Sequence, residues 1–198
     1  MTRPPSCAPE GTGPGRPGAS GSPGDRPGAE PPALPLSPAA AAAAAARPDA
    51  QGVATLHASC VALAPSSGGA EAPAFAAALI LGPSGAGKSS LALELIAVGA
   101  RLVADDRTLV RAVSGGLVAS APAAIAGLIE ARGVGLIPLP PLAEARLAVV
   151  VDLSRAEPER LPPLRLIPVL GVALPLILRP SAAALHALLL AGGRRHAP

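Results

Sequence analysis

The sequence has no Asn, Tyr or Trp, and only one Phe and one Lys among its 198 residues. With 1% aromatic residues there is no stacking platform for nucleic acid, and any core must be built from Ala, Val, Leu and Ile. Cysteine is almost as scarce. Cys7 and Cys60 make no disulfide framework, and their spacing resembles no metal site, which fits a reducing compartment. Long hydrophobic runs are missing too: "RLIPVLGVALPLIL" is too short and too Pro-interrupted to span a bilayer, and "MTRPPSCAPEG" has no signal-peptide core. The formal charge of +3 comes from scattered Arg residues and marks no polyanion-binding face. These absences predict a soluble, cytoplasmic protein.

What is present divides the chain in two. Residues 1–50 are Pro, Gly, Ala and Ser with an oligo-Ala run from Ala39 to Ala46, a composition that predicts a disordered tail because it buries too little apolar area to offset chain entropy. From Gln51 to the end the pattern is that of one folded domain. "VATLHASCVAL" and "FAAALIL" read as two strands joined by the loop "APSSGGAEAP". "SSLALELIAVGA" carries apolar residues at helical spacing and meets Gly99 where a helix-terminating glycine belongs. "RLVADD" reads as a strand ending in two carboxylates, and "TLVRAV" and "LVASAP" flank Ser114, Gly115 and Gly116 as a hairpin. "IAGLIEARGVGLI" fits a strand or a short helix equally, "RLAVVVDL" is a buried strand, and "SAAALHALLLAGG" is a helix from a Ser181 cap to Gly192.

The one lysine falls in "LILGPSGAGKSS", where Gly82, Gly87, Lys88 and Ser89 complete the Walker A pattern G-x-x-x-x-G-K-[ST] between an apolar strand and an amphipathic helix. In such a loop the backbone of Gly82, Pro83, Ser84, Gly85, Ala86, Gly87, Lys88, Ser89 and Ser90 curls so that N–H groups face phosphate oxygens. Lys88 then reaches the β- and γ-phosphates, and the Ser89 hydroxyl ligates Mg²⁺. Arginine cannot stand in for that lysine, because its bulkier planar fork does not fit so tight a loop as a compact point charge. The sequence therefore predicts binding of a nucleoside triphosphate with Mg²⁺. Phosphoryl transfer also needs a proton acceptor, and Asp105 and Asp106 end the strand after the loop helix. Strand alternation predicts that only one of them enters the site.

Three stretches together, "GPSGAGKSS", "GARLVADDRT" and "IEARGVGLI", resemble the HPr kinase/phosphorylase family in its short form, without that family's separate N-terminal domain. The resemblance covers roughly residues 52–190 and implies an α/β fold, a P-loop kinase domain with a mixed sheet of the phosphoenolpyruvate-carboxykinase-like type. It implies an ATP- and Mg²⁺-dependent protein serine kinase acting on the phosphocarrier HPr or a nitrogen-type HPr. Such proteins also remove the phosphate with inorganic phosphate, serve phosphotransferase-system signalling in carbohydrate metabolism and assemble as hexamers. By the same resemblance Asp106 takes the serine proton, Glu130 joins Ser89 on Mg²⁺ with Arg132 beside it, and Arg160 in "EPERLP" acts on the transferring phosphoryl group. His57 would bind phosphate and orient the carboxylate. Arg179 stands where the family has Arg-Pro-Gly-Arg-Asn, of which only Arg-Pro is present; the family links that segment to dephosphorylation, so the kinase direction is the one expected. His186 and His196 are read as helix and tail residues.

Two other classes fit the loop motif alone. A small-metabolite kinase needs a polar acceptor pocket, which so Ala- and Leu-rich a chain hardly supplies. A non-catalytic nucleotide-sensing module has no need of a base, so the presence of Asp106 and Glu130 speaks against it.

Overall fold

The computed structural model describes residues 34–66 and 75–193. The expected loop 64–73 and His196 fall largely or wholly outside them, as does most of the expected tail. Eleven strands and three α-helices succeed one another along the described chain. They are α1 (Pro38–Ala45), β1 (Val53–Leu56), β2 (Ser59–Leu63), β3 (Ala76–Leu81), α2 (Lys88–Ala97), β4 (Arg101–Ala104), β5 (Thr108–Val113), β6 (Gly116–Ser120), β7 (Leu128–Ala131), β8 (Gly135–Pro138), β9 (Glu144–Asp152), β10 (Leu166–Val169), β11 (Val172–Leu178) and α3 (Ala182–Leu190).

Helix α1 corrects the expectation of an unstructured segment to residue 50. Ser37 caps it, its Oγ accepting the Ala40 N–H at 3.1 Å, and Pro38 occupies the first turn, where its missing N–H costs nothing. A run of alanines this short is marginal alone because nucleation is costly. Here Ala40 and Ala43 are buried in the core that also holds Ile167 and Val169 of β10, and that packing supplies what propensity cannot. Small side chains are the reason it works: they let a helix backbone lie close on a sheet.

The sheet is mixed and runs β1-β5-β6-β9-β3-β2-β4. It branches along β9, whose first residues pair antiparallel with β6 and whose last three, Val150 to Asp152, pair parallel with β11. On its other edge β9 runs parallel to β3 along most of its length. Strand β3 is buried on both faces: Ala77, Leu79 and Leu81 join one core, Ala76, Ala78 and Ile80 the other. The period of two that sorts them is the strand's own geometry. Aliphatic side chains fill nearly all of both cores, each buried Leu or Ile contributing about 1.5–3 kcal/mol. Buried Cys60 of β2 is another filler, and its burial pushes the thiol far above its ordinary pKa, so it is inert.

Helices α2 and α3 cover the second core through Leu91, Ala92 and Leu95, and through Leu185 and Leu189. Two bonds close α2, Gly99 N–H to Ile96 C=O at 3.0 Å and Ala100 N–H to Leu95 C=O at 3.0 Å, the pairing of a Schellman end. The predicted cap of α3 is present, with Ser181 Oγ accepting from Ala184 N–H at 3.2 Å. The ambiguous stretch 125–137 begins at the end of a short 3₁₀ turn, Ala123–Ile125, and forms most of the β7–β8 hairpin, a small sheet of its own. One expected strand over 53–63 is instead two, β1 and β2, broken at His57 and Ala58 because β1 pairs with β5 while β2 pairs with β3 and β4. No helix of the described residues is long and apolar enough to cross a membrane.

Candidate functional site

The glycine-rich segment 82–87 joins the end of β3 to α2. Gly82 has no room for a side chain: a Cβ there would stand 3.0 Å from Ala86 Cβ and 3.3 Å from Leu153 Cβ. Gly87 takes φ +96° as the N-cap of α2, a left-handed conformation that leaves the helix's first N–H groups without a side-chain cap. Those free donors, with the positive end of the helix behind them, make an anion seat. Lys88 is buried and folds back over the loop, its Nζ donating to the carbonyls of Gly82 at 3.0 Å and Pro83 at 3.2 Å. Burial lowers its pKa, opposed by the charges of Asp106 and then Asp105.

A cavity of about 500 Å³ opens in front of this loop and draws side chains from four parts of the chain. Ser84, Gly85, Gly87, Lys88, Ser89 and Ser90 come from the loop and α2; Asp105 and Asp106 lie just past β4. His57 comes from the β1–β2 break, and Glu130 and Arg132 come from the β7–β8 hairpin. Arg132 reaches over the loop, Nη2 lying 3.9 Å from the place a Gly85 Cβ would take.

Both aspartates line this cavity, against the expectation that only one would. The strand stops at Ala104, so strand alternation does not govern where Asp105 and Asp106 point. Arg107 N–H closes on Asp105 C=O at 2.7 Å, an i to i+2 turn, and Asp106 at its apex has φ +61°. The two carboxylates then differ in every other respect. Asp105 is buried and accepts from Ser59 Oγ at 2.5 Å, from Ser89 Oγ at 3.0 and 3.1 Å, and from Glu130 N–H at 3.1 Å. Asp106 is exposed and faces His57 Nε2 at 3.3 Å. His57 is presented by the strand break, where buried Thr108 Oγ1 donates to Ala58 C=O at 2.8 Å.

Of the expected site residues, His57, Lys88, Ser89, Asp106 and Glu130 come together with Arg132. Pro83 and Gly82 turn toward a neighbouring, more apolar cavity of about 490 Å³ walled by α1, which also touches His57. Arg160 does not join them; it is exposed in the segment between β9 and β10 and lines neither cavity. Arg179 is also outside, its guanidinium donating to Leu153 C=O at the end of β11, and His186 lies on α3. Ser59 and the anchoring role of Asp105 were not read from sequence. A serine inside an apolar strand carries no motif, and only the β4 turn brings Asp105 to it.

Among the described residues no three His, Cys, Asp or Glu side chains converge as a metal cage. Ser89 and Glu130 both line the cavity, and the oxygens their side chains offer are hard donors. They fit a magnesium ion that takes one or two protein ligands and completes its shell with phosphate and water.

Residues 76–156 match the family described as HPr Serine kinase C-terminal domain. The chain is 50% identical over 76 residues to the HPr kinase/phosphorylase of Clostridium tetani, a stretch covering 38% of this chain and 24% of that protein. With the HPr kinase/phosphorylase of Geobacillus kaustophilus it is 46% identical over 90 residues, 41% of this chain and 29% of the relative. The matches therefore span about a quarter of those relatives' lengths. Among solved structures, the Hpr(Ser) kinase/phosphatase of Coxiella burnetii superposes with a TM-score of 0.54 at 25% identity, over 68% of this chain and 87% of that one.

Proposed function

The chain belongs to the HPr kinase/phosphorylase family, and from that premise we propose that it is an ATP-dependent protein kinase that phosphorylates a serine of HPr or a nitrogen-type HPr. The observation that carries this reading is the convergence, in one 500 Å³ cavity, of an anion-seating loop with its lysine and an exposed carboxylate paired to a histidine. Relatives named for HPr support the choice of acceptor.

In the proposed reaction the loop N–H groups of residues 84–90 hold the triphosphate, and Lys88 leaves the Gly82 and Pro83 carbonyls to pair with β- and γ-oxygens. Asp106 accepts the serine proton as the hydroxyl oxygen bonds to γ-phosphorus, and the bond from that phosphorus to the β,γ-bridging oxygen breaks, releasing ADP. His57 holds Asp106 in line for that proton. Arg132, poised over Gly85, faces the equatorial charge. A magnesium ion, held by Ser89 Oγ and Glu130, would supply charge neutralisation on the β- and γ-phosphates. We place the reaction in the cytoplasm, where ATP and a phosphocarrier meet. Return of the phosphate to inorganic phosphate, and assembly into hexamers, belong to the family reading and are proposed only with it.

The experiment is a transfer assay with purified protein, Mg-ATP and HPr, read as phosphoserine by mass spectrometry. Asp106→Asn should abolish transfer and keep nucleotide affinity. Phosphorylation of a small acceptor in place of HPr would favour a metabolite kinase, and tight nucleotide binding without transfer to any HPr-like protein would favour a sensing module; either result overturns the proposal.

A further inference from the structure

The proposed metal ligands, Ser89 on α2 and Glu130 on β7, belong to elements that are not neighbours in any sheet, yet one carboxylate binds the hydroxyl of the first and the backbone N–H of the second. Asp105 accepts the Ser89 hydroxyl between its two oxygens and the Glu130 N–H on Oδ2. A hydroxyl whose one O–H is committed to a carboxylate keeps its lone pairs for a cation. What holds Asp105 in turn is Ser59, fully buried, whose Oγ donates to Asp105 Oδ1 at 2.5 Å, the short end of the range for a hydroxyl on a carboxylate.

The backbone is shaped for this contact. The register of β2 against β4 slips between Cys60 and Val61, with Cys60 opposite Ala104 and Val61 opposite Leu102, so Val103 is an extra residue on β4. Such a bulge re-aims the residues after it. Here it delivers Asp105 to the first residue of β2, across the end of the sheet. The Ser59 side chain has no other partner among the described hydrogen bonds, and Ser59 does not line the cavity.

We propose that Ser59 is a positioning residue for divalent metal: through Asp105 it sets the direction of the Ser89 oxygen and the place of the Glu130 backbone relative to it, and so the affinity of the nucleotide-bound site for Mg²⁺. The inference rests on the nucleotide reading above. It gives the protein a layer behind its ligands of the kind whose loss elsewhere weakens metal binding about 10- to 100-fold.

The test uses the full chain, ADP and Mn²⁺, with free Mn²⁺ read by electron paramagnetic resonance. Ser59→Val and Ser59→Thr are near-isosteres that differ in the hydroxyl. The valine variant should bind Mn²⁺ in the presence of ADP about tenfold more weakly, and the threonine variant within about twofold of the parent. ADP binding in EDTA should be unchanged in both. Thr108→Val removes a different buried hydroxyl, one that bonds Ala58 C=O and not Asp105, and controls for lost stability; it should lower the melting temperature without moving Mn²⁺ affinity. Should the threonine variant fail to fold, Ser59→Ala against Thr108→Val carries the same contrast. Equal Mn²⁺ affinity in parent and valine variant overturns the inference, as does equal weakening by Thr108→Val. If the parent binds no ADP at all, the nucleotide reading falls and this inference with it.

Discussion

His57 Nε2 stands 3.3 Å from Asp106 Oδ1, and the two side chains are 54% and 69% exposed. A pair this open adds about 0–1 kcal/mol to stability at most, so its consequence is orientation. Asp106 sits at φ +61°, a backbone state that costs energy in a residue other than glycine, and the loop keeps it there. If the proposed transfer to HPr is this chain's reaction, His57→Ala should therefore lower its turnover by roughly one to two orders of magnitude, the scale of a misplaced reacting group, while leaving the urea midpoint unchanged. A variant with parental turnover would remove His57 from the mechanism.

The adjacent aspartates make the sharpest contrast. Asp105→Ala strands the buried Ser59 hydroxyl and deprives Ser89 Oγ and Glu130 N–H of their acceptor, a loss of about 3 kcal/mol in unfolding free energy. Asp106→Gly relieves a left-handed residue and should raise stability by up to about 1 kcal/mol while abolishing transfer. Urea unfolding of both variants, with the transfer assay alongside, checks the pair. Equal loss of stability in the two would contradict the division of labour.

Local chemistry was legible where it repeats within a few residues. The helix after the glycine-rich loop, the Ser181 cap, the glycine after α2 and the hairpin at Ser114–Gly115 each need only neighbouring residues, and each stands where it was expected. What escaped depends on distant partners. The stretch "RLIPVLGVALPLIL" forms β10 and β11, a hairpin whose second strand extends the sheet beside β9, though its prolines mask a strand pattern. The break at His57 arises from two strands choosing different neighbours, and no residue in "VATLHASCVAL" announces it. Ser59 became visible only when a bulge on β4 and a turn after it brought Asp105 alongside.

Helix α1 offers a test of the same lesson on stability. If residues 38–45 were tail, substitutions there would be silent. Packed as they are, Ser37→Ala should cost about 1 kcal/mol through the lost cap, and Ala40→Asp more, because Ala40 is fully buried and a carboxylate there has no partner. Chemical unfolding of both variants in the full chain measures it. No change in either would return α1 to the tail.

Lys88 carries a dependence on pH whose sign is set by its burial. Burial lowers its pKa in the folded chain below the ordinary 10.5, with Asp106 and Asp105 offsetting only part of the effect. Between the folded and unfolded values the unfolded chain binds more protons, so stability rises with pH across that window. Below the folded value the cost of burying the ammonium is fully present; approaching 10.5 it fades. Lys88→Met has no such cost. In the absence of nucleotide, the melting temperature of Lys88→Met relative to the parent should be highest near neutral pH and should fall steadily as pH is raised toward about 10 at constant ionic strength. ATP with Mg²⁺ should reverse the comparison at neutral pH, because only the parent gains the binding term, about 2.7 kcal/mol at a hundredfold excess over Kd. A difference between parent and variant that widens with pH would show that the buried lysine carries no such cost.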